Sequence, residues 1–462
     1  MADAISLTVN GSPRTLDSAA TLPELLRTLG IDERLVAVAV NGEVIPKKQH
    51  GSVRLQDGDT VEIVRMVGGG AGVGRASRTT KGRGSRVKGR GRGVEVVIAG
   101  GGIIGCAIAC ELSRRGVSCV VLDSRRLGMA ATNAAAGILA PLAEFKRPGA
   151  LVQLGLASMR RYPDWVARLR EEAPDIDVEF ARCGVLRVAF DDDELAQLRA
   201  GLRYGAELGV ELIELDATLV RDVEPRLSPK AIGGVLAPED GQVSNQMFTL
   251  ALARAAEARG VRFVEQSPVV GFWTGDGRVT AVRTPTSEFA CDRVVLAAGP
   301  WTRDLARKLR AHVPTFPVRG QMLALGGMVT PVRHVVWGPR GYLVPRANGL
   351  VFAGATVEQV GYRFRTTKAG LARVRRGAFE LVPQLRHASE HFTWAGLRPG
   401  SPDGLPIMGP LPGWENVTVA TGHFRNGILL APVTGELIAE SIVAGREPEA
   451  LAPFRPARFN GG

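Results

Sequence analysis

The chain is short of cysteine and has no long apolar run. Its five cysteines (Cys106, Cys110, Cys119, Cys183, Cys291) are odd in number and form no CxxC pair. That argues against a disulfide framework and for a reducing compartment. The longest apolar stretch, Val96–Cys110, is broken by four glycines and stops at Glu111, short of the ~20 residues that span a bilayer. The opening MADAISLTVNG lacks a charged-then-apolar export signal. A soluble, cytoplasmic protein without a membrane partner is therefore expected. His387 and His391 stand four apart, but HASEH lacks the glutamate of an HExxH zinc motif. An exposed helix face is expected there, and no metal site. Internal repeats and a serine–histidine–acid arrangement are also missing.

What is present is ordinary except for glycine and charge. With 45% hydrophobic and 23% charged residues, the 462-residue chain is globular, and its length suggests about three domains. Fifty-seven glycines exceed the usual share. Eight of the twelve excess positive charges fall in residues 71–93, AGVGRASRTTKGRGSRVKGRGRG, which contains no acid. Such a run cannot bury a core and reads as a flexible basic linker. Its charge alone would attract nucleic acid, but a solvated linker is the preferred reading.

The first seventy residues punctuate themselves. Ile5–Val9 reads as a strand, Asn10-Gly11 as a hairpin turn, and Arg14–Leu16 as the return strand. Thr21, with Glu24 three residues on and Pro23 in the first turn, predicts a capped helix carrying Leu22, Leu25, Leu26 and Leu29, which Gly30 ends. Val36–Val40 and Thr60–Val67 complete a mixed sheet crossed by one helix. With VNGEVIP (Val40–Pro46) and DGDTVEIVRMVGGG (Asp57–Gly70), this segment resembles the sulfur-carrier family of thiamine thiazole synthesis (ThiS-like), a ubiquitin-like β-grasp fold. The resemblance implies that Gly69 and Gly70 form the carrier terminus, and that an adenylating enzyme and thiazole synthase are partners. Here, however, Ala71 follows Gly70, so the intact chain has no carboxylate to activate. Either cleavage after Gly70 releases a working carrier, or the fused domain serves for docking.

After the linker, the apolar strand Val94–Ile98 runs into Gly100-Gly101-Gly102-Ile103-Ile104-Gly105, a helix to about Arg115, and the strand Val117–Leu122. Asp123 follows, eighteen residues past Gly105. Gly100 makes the turn, Gly102 admits a pyrophosphate and Gly105 lets helix and strand pack closely. The helix N-terminus faces the phosphates, and Asp123 is placed to accept a ribose hydroxyl. Strand, loop, helix, strand and acid in register predict dinucleotide binding. Cys106 and Cys110 on that helix read as small packing residues. Further on come the small-residue run Thr132–Gly137, the buried strand Val294–Ala298 meeting Gly299, and Gly422–Gly427 before an apolar helix, Ile428–Ile442.

The motifs VVIAGGGIIGCAIACEL (Val96–Leu112), TNAAAGILAP (Thr132–Pro141), VVLAAGPWT (Val294–Thr302), WAGLRPGSPDGLPIMG (Trp394–Gly409) and GHFRNGILLAPVTGELIAE (Gly422–Glu440) together resemble the FAD-dependent amine oxidases of the glycine and sarcosine oxidase type (ThiO-like). This implies an α/β and α+β chain. A β-grasp domain (1–70) and linker (71–93) precede a Rossmann-type FAD domain (about 94–160, 228–303 and 400–462). An antiparallel-sheet substrate domain (about 161–227 and 304–399) is interleaved with it. Implied FAD contacts are Gly100, Gly102, Ile103, Ile104, Gly105, Asp123, Thr132, Asn133, Ala134, Ala136, Gly137, Val269, Ala298, Gly299, Trp301, His423, Arg425, Asn426, Gly427, Ile428 and Leu429. Covalent attachment is not expected, because no cysteine follows Cys291. Arg398 matches the family's carboxylate-binding arginine, Tyr342 its assisting tyrosine, and Arg425 a second arginine at the mouth. An arginine fork suits a carboxylate. The implied reaction oxidises glycine to its imine, which water takes to glyoxylate and ammonia, while oxygen becomes hydrogen peroxide. Sarcosine or D-amino acids are alternative substrates, and an inert flavin fold serving as a scaffold is another reading. Arg340 and Val357 replace a histidine and a methionine of some relatives, which leaves side-chain preference open. Some relatives are homo-oligomers.

Overall fold

The computed structural model describes residues 5–9, 12–16, 20–29, 36–41, 43–45, 47–65, 94–143, 149–327 and 332–459. It forms two compact units, Met1–Lys81 and Gly82–Gly462. The division falls inside the expected linker. Gly69, Gly70 and the basic run themselves lie outside the described residues.

In the first unit, a five-stranded sheet is ordered Ser12–Leu16, Ile5–Val9, Thr60–Arg65, Val36–Val40, Glu43–Ile45. Ile5–Val9 and Thr60–Arg65 are parallel and the other pairs antiparallel. The helix Leu22–Thr28 buries Leu22, Leu25 and Leu26 against Leu7, Val38 and Val61, the helical spacing meeting the alternate residues of the strands. The Glu24 carboxylate reaches back to accept from the Thr21 amide at 2.7 Å and its hydroxyl at 2.8 Å. This is the reach-back arm of the predicted capping box.

The second unit has two large sheets. One is built on five parallel strands: Arg262–Val264, Cys119–Leu122, Val94–Ala99, Glu288–Leu296 and Val417–Thr421. Strands buried on both faces read as continuous apolar runs. Accordingly Val96 and Ile98 pack into a helical layer while Val97 and Ala99 pack into the opposite core. The helices Ile103–Arg114, Ala150–Glu172, Asn245–Glu257 and Ala431–Ala444 form that layer. The other sheet runs Ile213–Asp216, Gly233–Ala237, Val185–Ala189, Val335–Gly338, Gly341–Pro345, Val351–Gly354, Phe316–Gly326, Ser389–Gly400. It is antiparallel apart from the pair Val335–Gly338 and Val185–Ala189. The helix Lys368–Leu381 covers one face, with Val374, Ala378 and Leu381 buried against Leu343 and Val351.

Sheet membership shifts three expected boundaries. Residues from 161 belong with the parallel sheet, because Tyr162, Trp165, Val166 and Leu169 are the buried stripe of the helix Ala150–Glu172. Gly233–Ala237, expected beside the cofactor, pairs instead with Val185–Ala189. The helix Thr302–Lys308 buries Ala306 in the core of the parallel sheet. The C-terminal helix begins at Ala431, not Ile428. Pro432 has no N–H to offer the Ile428 carbonyl, and the Tyr162 hydroxyl donates to it at 2.6 Å instead. His387 ends a short 3-10 helix and His391 lies in a strand, so they share no helix face. Among the described residues, no helix is long and apolar enough to cross a membrane.

Candidate active site

The glycine loop shows why each glycine is needed. Gly100 has φ +124°, and an added Cβ would lie 2.4 Å from the Ala297 carbonyl oxygen. At Gly105 it would lie 1.8 Å from the Gly100 carbonyl oxygen, so helix and loop can meet only around a hydrogen. Gly102 is different. Its Cβ would meet only the Thr132 hydroxyl, at 3.3 Å, and the residue caps the helix Ile103–Arg114 without a side chain. That combination leaves the helix N-terminus open to a phosphate. Asp123 ties the loop down: one carboxylate oxygen accepts from the Gly101 amide and the other from Arg125, both at 2.7 Å. Each oxygen keeps a further lone pair for a hydroxyl. Burial raises the carboxyl's pKa, and these two amide bonds oppose that shift.

Three further segments converge on this loop. The Thr132 hydroxyl accepts from the Ile103 amide at 3.0 Å, and Trp394 Nε1 donates to the Ala134 carbonyl at 3.2 Å. This fastens the small-residue run between the two sheets. Trp301 carries the Arg125 guanidinium 4.4 Å over its ring, and Tyr362 stacks at 6.0 Å. In GHFRNG, Phe424 takes φ +48°, a conformation side chains disfavour. It is held there by its amide donating to the Pro399 carbonyl at 2.9 Å. His423 Nε2 lies 3.1 Å from the Thr434 hydroxyl, and burial pushes its pKa down to about 3, so the ring is neutral near pH 7.

On the second sheet, Phe316–Gly326 and Ser389–Gly400 place Val318 opposite Arg398 and Gly320 opposite Gly396. A Cβ on Gly320 would lie 2.3 Å from Arg398 Nη2, so the missing side chain is the space the guanidinium fills. Arg398 Nη1 donates to the Thr356 carbonyl at 3.0 Å. Tyr342 is buried, with Gly354 clearing its ring in the same way. Trp337 lies 5.2 Å from the Tyr342 ring, and the Arg425 guanidinium lies 5.2 Å from the Trp337 ring.

All these groups border one cleft, with a cavity volume of about 380 Å³, within the roughly 300–1,000 Å³ of ligand pockets. Its wall includes Gly100, Gly102, Ile103, Ile104, Asp123, Thr132, Ala134, Ala136 and Gly137 from the first segments. Val269, Ala298, Gly299, Trp301, His423, Arg425, Asn426, Gly427, Ile428 and Leu429 follow, and Tyr342 and Arg398 complete it. Two expected contacts are not on the wall. Gly105 faces the Gly100 backbone, and the Asn133 side chain accepts from Gln246. Arg340 pairs with Glu380 in solvent, and Val357 is 56% exposed, so neither lines the cleft. Sequence reasoning missed Gly320, Trp337 and Gly396. A glycine inside an apolar strand signals close approach and marks Gly320 and Gly396; nothing marks Trp337. The wall suits FAD: a loop without side chains at a helix N-terminus, small residues where a flat ring could lie, and no cysteine among the described wall residues.

The fold and this cleft define a flavin-dependent oxidoreductase. The FAD dependent oxidoreductase family model matches residues 95–441, and the chain belongs to that family, with FAD as its cofactor. The ThiS family model matches residues 7–70. Among individual relatives, the chain is 32% identical to the glycine oxidase of Geobacillus kaustophilus over 369 residues, 79% of this chain and 97% of that protein. The crystal structure of glycine oxidase from Geobacillus kaustophilus superposes with a TM-score of 0.76, covering 79% of this chain and 99% of that one. The chain is also 38% identical to the Bifunctional protein ThiO/ThiG of Synechocystis sp. over 79% of its own length, but spans only 54% of that relative.

Proposed function

We propose that this chain is an FAD-dependent glycine oxidase fused to a sulfur-carrier domain. It oxidises glycine to its imine, which water hydrolyses to glyoxylate and ammonia, as a supply line for thiamine thiazole formation. The observation that carries this reading is Arg398, whose half-buried guanidinium occupies the space left by Gly320, on the wall shared by the glycine loop and GHFRNG. A planar fork there pairs with both oxygens of an α-carboxylate and leaves the short Cα free to face the cofactor. Tyr342 and Trp337 close the space beside it and exclude water, which strengthens the ion pair. Arg425, over Trp337, adds positive charge that draws the anionic group inward. FAD held on this wall would supply the two-electron oxidation, with oxygen as the final acceptor and hydrogen peroxide as the co-product. The chain's residues bind, orient and desolvate, and need supply no nucleophile.

Relatives that carry this module under the name ThiO/ThiG, together with the carrier-like first unit, support thiazole synthase and an adenylating enzyme as partners. The carrier needs a free Gly70 carboxylate for that role, and a fragment ending at Gly70 in the intact-mass spectrum from the native cell would establish it. The oxidase test is anaerobic addition of glycine to the purified protein. Loss of flavin absorbance within the turnover time is expected, faster than with sarcosine or D-alanine. A flavin that stays oxidised would overturn the proposal. Arg398→Ala should retain FAD and raise the glycine KM by roughly two orders of magnitude, the size of a lost bidentate charge pair.

A further inference from the structure

The arginine proposed to receive the carboxylate is itself held by a main-chain atom, the Thr356 carbonyl. Thr356 lies in the segment after the Val351–Gly354 strand, much of which is exposed. Something must fix that carbonyl. Gln321 N–H donates to the Thr356 hydroxyl at 3.0 Å, and Thr356 N–H donates to the Gln321 carbonyl at 3.3 Å. Two residues on, Glu358 exchanges both main-chain bonds with Arg319, at 2.8 and 3.0 Å. Its carboxylate accepts from Arg319 Nε at 2.6 Å, from Gln321 Nε2 at 3.0 and 3.1 Å, and from Arg373. Gln321 is fully buried and its own Oε1 accepts from the Thr367 amide at 2.6 Å. Alternation along the strand explains the division of labour. Gly320 faces the Arg398 guanidinium, while Arg319 and Gln321 turn to the opposite face and grip Glu358.

The geometry points to Glu358 as a positioning residue: outside the cleft, it locks the Thr356 carbonyl, and through it the Arg398 fork, in carboxylate-receiving orientation. The inference rests on the reading that Arg398 binds the substrate carboxylate. Neutralising Glu358 removes the charge that Arg319 and Arg373 pair with, leaving Arg319 its bond to the Arg365 carbonyl at 3.0 Å and the segment its main-chain bonds alone, and so loosens it. Arg398 then keeps its charge but loses the acceptor that aims it.

The test uses the full-length FAD-loaded protein and three variants, Glu358→Gln, Thr356→Val and Thr356→Ser. Acetate, a carboxylate with no amine to oxidise, is titrated against the absorbance of the oxidised flavin, and KM and kcat are measured for glycine. Glu358→Gln and Thr356→Val should weaken acetate binding and raise KM about tenfold or more, the scale of one charge-assisted hydrogen bond. The kcat should change less than about twofold, flavin content should hold, and Thr356→Ser should restore wild-type values. Unchanged acetate affinity in the first two variants overturns the inference, as does equal loss in Thr356→Ser and Thr356→Val. Should Glu358→Gln fail to fold, Thr356→Val against Thr356→Ser decides. If the wild-type flavin binds acetate but is not reduced by glycine, the substrate reading fails while the acetate series still judges the positioning role. If the wild type binds no acetate, both fail.

Discussion

Gly105 and Gly320 both leave space, but for different neighbours. At Gly105 the obstacle to a methyl group is backbone, 1.8 Å away, whereas at Gly320 it is the movable end of Arg398. Gly320→Ala should therefore cost little stability, below about 1 kcal/mol, yet displace the guanidinium and raise the glycine KM at least about tenfold. Thermal melting and steady-state kinetics on the same preparation check this; a lowered melting temperature with an unchanged KM would contradict it. Legibility follows the same divide. Gly100, Gly102 and Gly105 were readable because a phosphate loop dictates residue type and spacing. The carbonyl of Thr356 was not, because every residue has one, and Arg319 and Glu358, which place it, stand 39 apart.

Among elements, the strands and helices followed from alternation and spacing, but the start of the C-terminal helix did not. Pro432 in ILLAPV is a signal for a start near Ala431; what satisfies the carbonyls left over is a long-range matter. Tyr162 serves Ile428, and the Ser158 hydroxyl donates to the Leu429 carbonyl at 2.6 Å while accepting from Val433 N–H at 3.4 Å. Both donors come from the helix Ala150–Glu172, which the expected boundary at residue 160 divided between the two domains. Tyr162→Phe leaves the Ile428 carbonyl with only the Ala431 N–H, at 3.2 Å, a cost of about 1 kcal/mol. Because Ile428 and Leu429 line the cleft, flavin should also dissociate more readily. Denaturant titration and FAD release measure the two effects; a loss of stability without weaker FAD retention would separate turn from site.

For the molecule as a whole, two buried groups pull stability in opposite directions with pH. Burial lowers His423 from 6.5 to about 3. The unfolded chain therefore binds the extra proton between these values, and stability falls as pH drops below about 6.5. Burial, with Glu239 nearby, raises Asp240 from 3.8 to about 8. Here the folded state holds the extra proton, so its contribution is present below about pH 4 and fades as pH rises towards 8. Asp240→Asn, similar in shape and never charged, should raise the melting temperature at pH 8 and leave it nearly unchanged at pH 4. An equal shift at both pH values would show that ionisation is not the cause.

The parallel sheet is stitched from Val94–Leu122, Arg262–Leu296 and Ile407–Thr421, with the GHFRNG turn arriving last. A ribosome must therefore emit the chain through Leu429 before a cofactor has a complete berth. Until then the central apolar strands wait for distant neighbours, a slow and aggregation-exposed stage. Yield of soluble protein during expression should accordingly track flavin supply in the host, and C-terminal truncations reaching past Val417 should leave no flavin-loaded remnant.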